Sequence, residues 1–208
     1  MDNIVPGILE KSWEEIERKI NICREFSKTI HIDFIDGKFS PNTTFFDLEK
    51  FKEVSNGLVL EAHLMVEEPM NYLDVLSSSG FERFLGQIEK MSDQAKFVAK
   101  GESLGSVGLA LDLETQVDRI NVPLFDLDSI LVMAVPAGQS GQTFQSLALD
   151  KIKKLRSNFL GTIEIDGGIN DQTILFAKEA GARSFVCTSY LFDSEDPKSR
   201  FELLKALV

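Results

Sequence analysis

The chain reads as an α/β protein, a closed parallel eight-stranded (β/α)8 barrel that takes up residues 1–208 as one domain. Three observations lead there. Short apolar runs rich in β-branched residues alternate with amphipathic stretches from one end to the other. No Pro/Ser/Gly-rich linker or low-complexity segment separates them. Strand-then-helix alternation calls for parallel strands with crossover connections, and eight such units are enough to close a ring. A doubly wound open sheet is the rival arrangement, because alternation alone does not say whether the sheet edges meet.

The expected strands are 4–9, 29–35, 58–66, 83–89, 106–111, 129–135, 161–167 and 184–191. Among the segments between them, Ser12 to Phe26 has a hydroxyl suited to cap a helix, with Trp13, Ile16, Ile20 and Cys23 following at helical spacing. Pro69 suits a first helical turn, and Phe144 to Leu155 continues the same plan.

With 208 residues, 43% of them hydrophobic and 16 of them Phe, the chain can bury one sizeable core. A formal net charge of -11 argues against nucleic acid or an anionic membrane as partner, since both attract basic surfaces. Cys23 and Cys187 are too few for a disulfide framework, which points to a reducing, cytoplasmic setting. The opening Met1-Asp2-Asn3-Ile4-Val5-Pro6 lacks the basic start and apolar stretch of a signal peptide, and no apolar run approaches the length of a membrane span.

Chemistry concentrates in the apolar runs. The only two histidines, His31 and His63, each sit inside one. His31 and Asp33 are two apart, so on a strand they project to one face. With His63 on a second run and Asp166 ending a third, nitrogen and oxygen donors can converge on one divalent cation. In a closed barrel the C-terminal strand ends all face one cavity, whereas an open sheet would hold these runs apart. Imidazole suits Zn, Fe or Co and carboxylate suits Mn or Mg, so the donor set leaves the metal's identity open. Met65 and Met133 serve equally as core filler or pocket lining. Asp36 beside Gly37 is expected to shape a turn, and Lys38 to lie in solvent. Glu61 and Glu164 are expected to alternate away from His63 and Asp166 and face the helix layer, where each needs a partner. Gly138-Gln139-Ser140-Gly141, Gly167-Gly168 and Thr188-Ser189 are candidate phosphate-binding turns. Backbone N–H groups there can grip an anion without net positive charge, although glycine is common in such turns regardless of ligand.

Five stretches carry a resemblance: His31-Ile32-Asp33-Phe34-Ile35-Asp36-Gly37-Lys38-Phe39 with Pro41-Asn42; Ala62-His63-Leu64-Met65-Val66 with Pro69; Leu131-Val132-Met133-Ala134-Val135 with Gly138, Gly141 and Gln142; Ile163-Glu164-Ile165-Asp166-Gly167-Gly168-Ile169-Asn170; and Ala180-Gly181-Ala182. In this order and spacing they resemble the ribulose-phosphate 3-epimerase family over nearly the whole chain. The resemblance implies a TIM barrel that interconverts D-ribulose 5-phosphate and D-xylulose 5-phosphate. It also implies one divalent metal ion (Zn, Fe, Mn or Co) held by His31, Asp33, His63 and Asp166, and homo-oligomers are common in the family. Asp33 and Asp166 are then expected to move the C3 proton through an enediolate steadied by the metal. Gly7, His63, Met65, Met133 and the three candidate turns, including Gln139, Ser140, Thr188 and Ser189, would line the substrate site.

The chain departs from the family pattern around the substrate. Pro-Ser-Ile-Leu becomes Pro6-Gly7-Ile8-Leu9, and a methionine becomes Ile35. A strand-four histidine becomes Gln87, Leu-Asn-Pro becomes Leu111-Asp112-Leu113, and Gly-Ser becomes Thr188-Ser189. The sixth-strand loop reads Pro136-Ala137-Gly138-Gln139-Ser140-Gly141-Gln142. Gly7 removes a substrate-facing hydroxyl, and Asp112 would repel a phosphate unless it points elsewhere. The alternatives are therefore an epimerase for a six-carbon, allulose-type ketose phosphate, or a non-catalytic sugar-phosphate-binding barrel.

Overall fold

Eight short strands, most of them buried on both faces, pair in parallel and return to their starting point. A computed structural model describes residues 3–208; Met1 and Asp2, which open the segment read for a signal peptide, lie outside the described residues. The strands are β1 (Asn3–Ile8), β2 (Thr29–Ile35), β3 (Val59–Met65), β4 (Phe81–Gln87), β5 (Ser106–Leu111), β6 (Ser129–Met133), β7 (Thr162–Asp166) and β8 (Ser184–Cys187). Each pairs with the next, and β8 pairs with β1 through Ile4 opposite Phe185, so the ring closes and the open-sheet alternative is ruled out. The largest departure from the expected strands is at the last one. It stops at Cys187 because Ser189–Phe192 coil into a short helix.

The helices are α1 (Trp13–Cys23), α2 (Leu73–Ser78), α3 (Gln94–Glu102), α4 (Leu147–Arg156), α5 (Thr173–Ala180), α6 (Ser189–Phe192) and α7 (Pro197–Leu207). Ser12 caps α1 as expected, its hydroxyl accepting the Glu15 N–H, and Trp13, Ile16, Ile20 and Cys23 form the buried stripe. Pro69 opens a 3-10 turn (Pro69–Tyr72) that leads into α2. α4 begins three residues later than expected, because the Gln145 N–H is engaged by the Ala134 carbonyl at the end of β6. α5 ends on Gly181, whose φ of 118° lets its N–H reach the Ala177 and Lys178 carbonyls. Two crossovers contain no α-helix. β2 reaches β3 through a 3-10 turn (Leu48–Glu53), and β5 reaches β6 through two (Val117–Arg119 and Leu124–Asp126) with Pro123, which cannot continue a helix, between them.

Two apolar regions result. The larger lies between barrel and helices, where Phe34, Phe51 and Phe81 meet edge to face with centroids 5.1 to 5.6 Å apart. The smaller lies inside the barrel and consists of Leu85, Ala110, Leu131, Met133 and Val135, from β4, β5, β6 and the residues just after β6. No helix among the described residues is long and apolar enough to cross a membrane.

The aromatic triad makes the outer core testable. Phe81→Ala removes a ring that is 2% exposed and touches both partners. Urea unfolding is expected to show a loss of about 3–5 kcal/mol; a loss below about 1 kcal/mol would mean the cluster collapses around the gap.

Candidate metal centre and active site

Register places the ionisable side chains. β2 and β3 pair with His31 opposite Glu61 and Asp33 opposite His63, while β6 and β7 pair with Met133 opposite Asp166. Lateral partners in a sheet share a face, so all of these point into the barrel. Ligand atoms of His31, Asp33, His63 and Asp166 lie within 4.8 Å of one another. His63 Nδ1 is 2.8 Å from Asp33 Oδ1, and His31 Nε2 is 3.4 Å from the same oxygen. Both imidazoles are fully buried.

Glu61 and Glu164 correct the sequence reading. They stand two residues before His63 and Asp166, and on a strand i and i+2 share a face, so they enter the barrel rather than the helix layer. Both are 2% exposed. The Glu61 carboxylate accepts the His31 Nδ1–H at 2.8 Å, and Glu164 Oε1 lies 3.6 Å from the same nitrogen. Ser184 donates its hydroxyl to Glu164, and Arg83 reaches Glu61 at 3.6 Å. The result is two tiers: Asp33, His63 and Asp166 at the C-terminal ends, with Glu61 and Glu164 below, and His31 bridging them.

So much buried charge of one sign shifts proton affinities. Burial and the neighbouring Asp33 push Asp166 up to about 7. Burial and Glu164 likewise push Glu61 up to about 7. Burial alone would lower His31, but the carboxylates of Asp33, Glu164 and Glu61 around it outweigh that and raise it well above its ordinary value. Burial alone would raise Asp33, yet the adjacent His31 and His63 imidazoles hold it below the usual carboxylate range. Without a cation, the cluster retains protons to balance its charge.

The donors suit a divalent metal. His31 engages Glu61 through Nδ1, while its Nε2 is buried without a hydrogen-bond partner and faces Asp33. An imidazole fixed on one nitrogen by a carboxylate and bare on the other is the usual form of a metal-binding histidine. Two nitrogens and two carboxylates fit Zn, Fe, Mn or Co.

Above the cluster opens a cleft. Asp33, Met65, Met133 and Asp166 line it, and so do Gly138-Gln139-Ser140-Gly141, Gly167-Gly168 and Thr188-Ser189. The three candidate turns, far apart in sequence, thus border one space. Gly168 cannot be replaced without strain: its φ is +66°, and a Cβ would lie 2.6 Å from the Phe144 backbone nitrogen. Met65 and Met133 are 1% and 3% exposed and border both core and cleft, so the two readings of them meet.

The departures acquire physical reasons. A Cβ on Gly7 would lie 2.5 Å from Thr188 Oγ1 and 2.7 Å from Val186 Cγ1, so these two side chains fill the space a side chain at position 7 would take. The hydroxyl absent from β1 is replaced by one from the end of β8, and Thr188 rather than Gly7 borders the cleft. Asp112 does point elsewhere. Its Oδ1 accepts the Leu113 and Ala137 N–H groups, its own N–H goes to Glu89, and its carbonyl takes Lys151 Nζ. It thereby anchors the loop after β6, which Asn42 and Gln142 brace through the Gly138, Pro136 and Gln139 carbonyls. Asp36 shapes its turn as expected, accepting the Lys38, Phe39 and Glu67 N–H groups, and exposed Lys38 pairs with Glu67. Sequence reasoning missed Glu61 and Glu164 as parts of the site, although their spacing from His63 and Asp166 was the signal.

Two outcomes follow from this geometry. Gly7→Ser alone is expected to destabilise by about 1–3 kcal/mol through overpacking. Combined with Thr188→Gly it should show a coupling of about 0.5 kcal/mol or more in a double-mutant cycle, and purely additive effects would contradict the shared space. For the metal-free protein, the raised carboxyls Asp166 and Glu61 and raised His31 contribute stability that is full at low pH. It fades as pH rises through their folded values, near 7 for the two carboxyls. Asp33, shifted down, contributes above its ordinary value and loses that contribution in acid. Thermal unfolding without metal should therefore show a maximum in mild acid and a decline toward pH 8, with added divalent metal restoring stability on the alkaline side. A flat profile would mean the cluster keeps no excess protons.

Residues 3–192 match the model of the ribulose-phosphate 3 epimerase family. The chain is 30% identical over 203 residues to the ribulose-phosphate 3-epimerase of Schizosaccharomyces pombe, covering 94% of this chain and 89% of that protein. It is 31% identical over 208 residues to the ribulose-phosphate 3-epimerase of Bacillus subtilis, with 95% of each covered. Among solved structures, 3-hexulose-6-phosphate synthase from Salmonella typhimurium superposes with a TM-score of 0.72 at 13% identity, covering 100% of this chain and 98% of that one, a likeness of fold alone. With the family model spanning all eight strands and relatives matched nearly end to end, the chain belongs to the ribulose-phosphate 3-epimerase family.

Proposed function

We propose that this protein is a metal-dependent epimerase that inverts C3 of a ketose phosphate, with D-ribulose 5-phosphate and D-xylulose 5-phosphate as the pair it interconverts. The observation that carries this reading is the convergence of His31, Asp33, His63 and Asp166, two of which, Asp33 and Asp166, line a cleft bordered by the turns at 138–141, 167–168 and 188–189. A divalent cation held by those four residues supplies Lewis-acid polarisation of the substrate's carbonyl.

The remaining work falls to side chains of this chain. A proton on a carbon next to a carbonyl is weakly acidic, so its removal needs a base in contact with it and a means of holding the developing negative charge. Asp33 and Asp166 enter the cleft from β2 and β7, with β1 and β8 between those strands on one side of the ring. One carboxylate takes the C3 proton, breaking C–H and forming O–H, and leaves a planar enediolate. The other carboxylic acid returns a proton to the opposite face, so the configuration is inverted and the two aspartates exchange protonation states. Met65 and Met133 offer apolar walls that keep water from protonating the intermediate at random. The turns at 138–141, 167–168 and 188–189 are assigned to the phosphate, gripped by backbone N–H groups in a protein whose net charge is -11.

The test is formation of xylulose 5-phosphate from ribulose 5-phosphate, read together with exchange of the C3 proton in heavy water. Asp33→Asn and Asp166→Asn, each metal-replete, are expected to lower turnover about 10²–10⁴-fold, and a chelator should abolish it reversibly. Substantial turnover by Asp33→Asn would falsify the two-base assignment. Faster reaction with allulose 6-phosphate would move the substrate to six carbons. No exchange with either sugar would leave a binding protein.

A further inference from the structure

Gln87 ends β4 and is fully buried inside the barrel, pointing at His63 rather than at another polar group of its own strand. Its amide nitrogen lies 3.1 Å from His63 Nε2, and its amide oxygen, also buried, has no hydrogen-bond partner. Each of the two amide groups forces a different state on the imidazole. If NH2 faces the ring, Nε2 must be the acceptor, so the proton sits on Nδ1 and points at Asp33 Oδ1, 2.8 Å away. If the carbonyl faces the ring, Nε2 carries the proton and Nδ1 presents its lone pair toward Asp33, His31 and Asp166. Only the second state lets His63 bind a cation at the four-residue centre, because that centre lies on the Nδ1 side. Half a turn about the terminal torsion of the glutamine exchanges the two groups with little change in shape.

We propose that Gln87 is the positioning residue for His63: its side-chain carbonyl accepts the Nε2–H and so selects the tautomer whose Nδ1 faces the metal. This rests on the metal-dependent reading above and adds the means by which one ligand is prepared. The two histidines then receive two kinds of support: Glu61 fixes His31 through Nδ1, leaving Nε2 for the metal, while Gln87 fixes His63 through Nε2, leaving Nδ1. The two rings, 5.2 Å apart between centroids, thus present opposite nitrogens to one centre. An amide suits this task because it neither gains nor loses a proton. It therefore adds no charge to a pocket where Glu61, Glu164, Asp33 and Asp166 already lie together.

The experiment is long-range proton–nitrogen correlation NMR of the zinc-loaded, nitrogen-15-labelled full chain. The chain has only two histidines, so four imidazole nitrogens suffice to assign the spectrum, with His31→Gln as the reference. The expected result is His63 protonated at Nε2 and zinc-bound at Nδ1. Gln87→Met, which keeps the volume but removes the acceptor, should weaken zinc binding about 10–100-fold in a competition titration. It should also mix the His63 tautomers in the metal-free protein. Gln87→Glu retains an oxygen for Nε2–H and should preserve the Nδ1-bound form. Zinc bound to His63 through Nε2, or Gln87→Met with unchanged tautomer and affinity, overturns the role of Gln87 while leaving the metal centre standing. A wild-type protein that takes up neither zinc, cobalt nor manganese overturns the metal centre and this assignment together.

Discussion

Everything else in this barrel answers to a problem of charge. Three buried carboxylates, a half-buried fourth and two buried imidazoles share this interior. Burying isolated carboxylates is so unfavourable that they acquire protons, partners or a cation. Here the lower tier is settled by local partners: Ser184 and His31 hold Glu164, while His31 and Arg83 hold Glu61. The upper tier has no basic side chain of its own beyond the two histidines. A shared proton satisfies it, and a divalent ion at the same point would do so too.

That demand also explains how the interior is divided. On the side of β4, β5 and β6 the barrel is filled by Leu85, Ala110, Leu131 and Met133, an ordinary dry packing. On the side of β2, β3 and β7 it is filled by ionisable groups, and Gln87 stands at the border between the two. The apolar half keeps the local dielectric low, so that each contact in the polar half is stronger than it would be in water. The outer Phe cluster holds the strands from behind and keeps the inward side chains in register.

Substitutions that look like losses in sequence are exchanges in space. Gly7 and Thr188 belong to adjacent strand ends, so a hydroxyl removed from one is returned by the other. Asp112 spends its carboxylate on two backbone N–H groups and holds the β6 loop against the cleft from outside. His31, Asp33, His63 and Asp166 converge, with side chains of other strands around them. A barrel permits this because side chains from distant strands meet at its centre and can replace one another there.

Strand-and-helix alternation and the spacing of His31 from Asp33 were legible because they depend only on the two-residue period of a strand. The eight strands, the helix after Ser12 and the glycine at the end of α5 follow from local chemistry in the same way. The placing of Glu61 and Glu164 was equally within reach of that period, yet a buried acid is at odds with a closed interior until its partners are known. Other features could not be read from the chain. The helix-free crossover around Pro123, the seat of Thr188 against Gly7 and the meeting of Gln87 with His63 depend on which strands become neighbours. Sequence by itself determined the period, the order and the donor types, since each is fixed by covalent geometry and composition. Only closure of the ring decided which side chains touch, because a contact between strands far apart in sequence exists only once β8 has paired with β1.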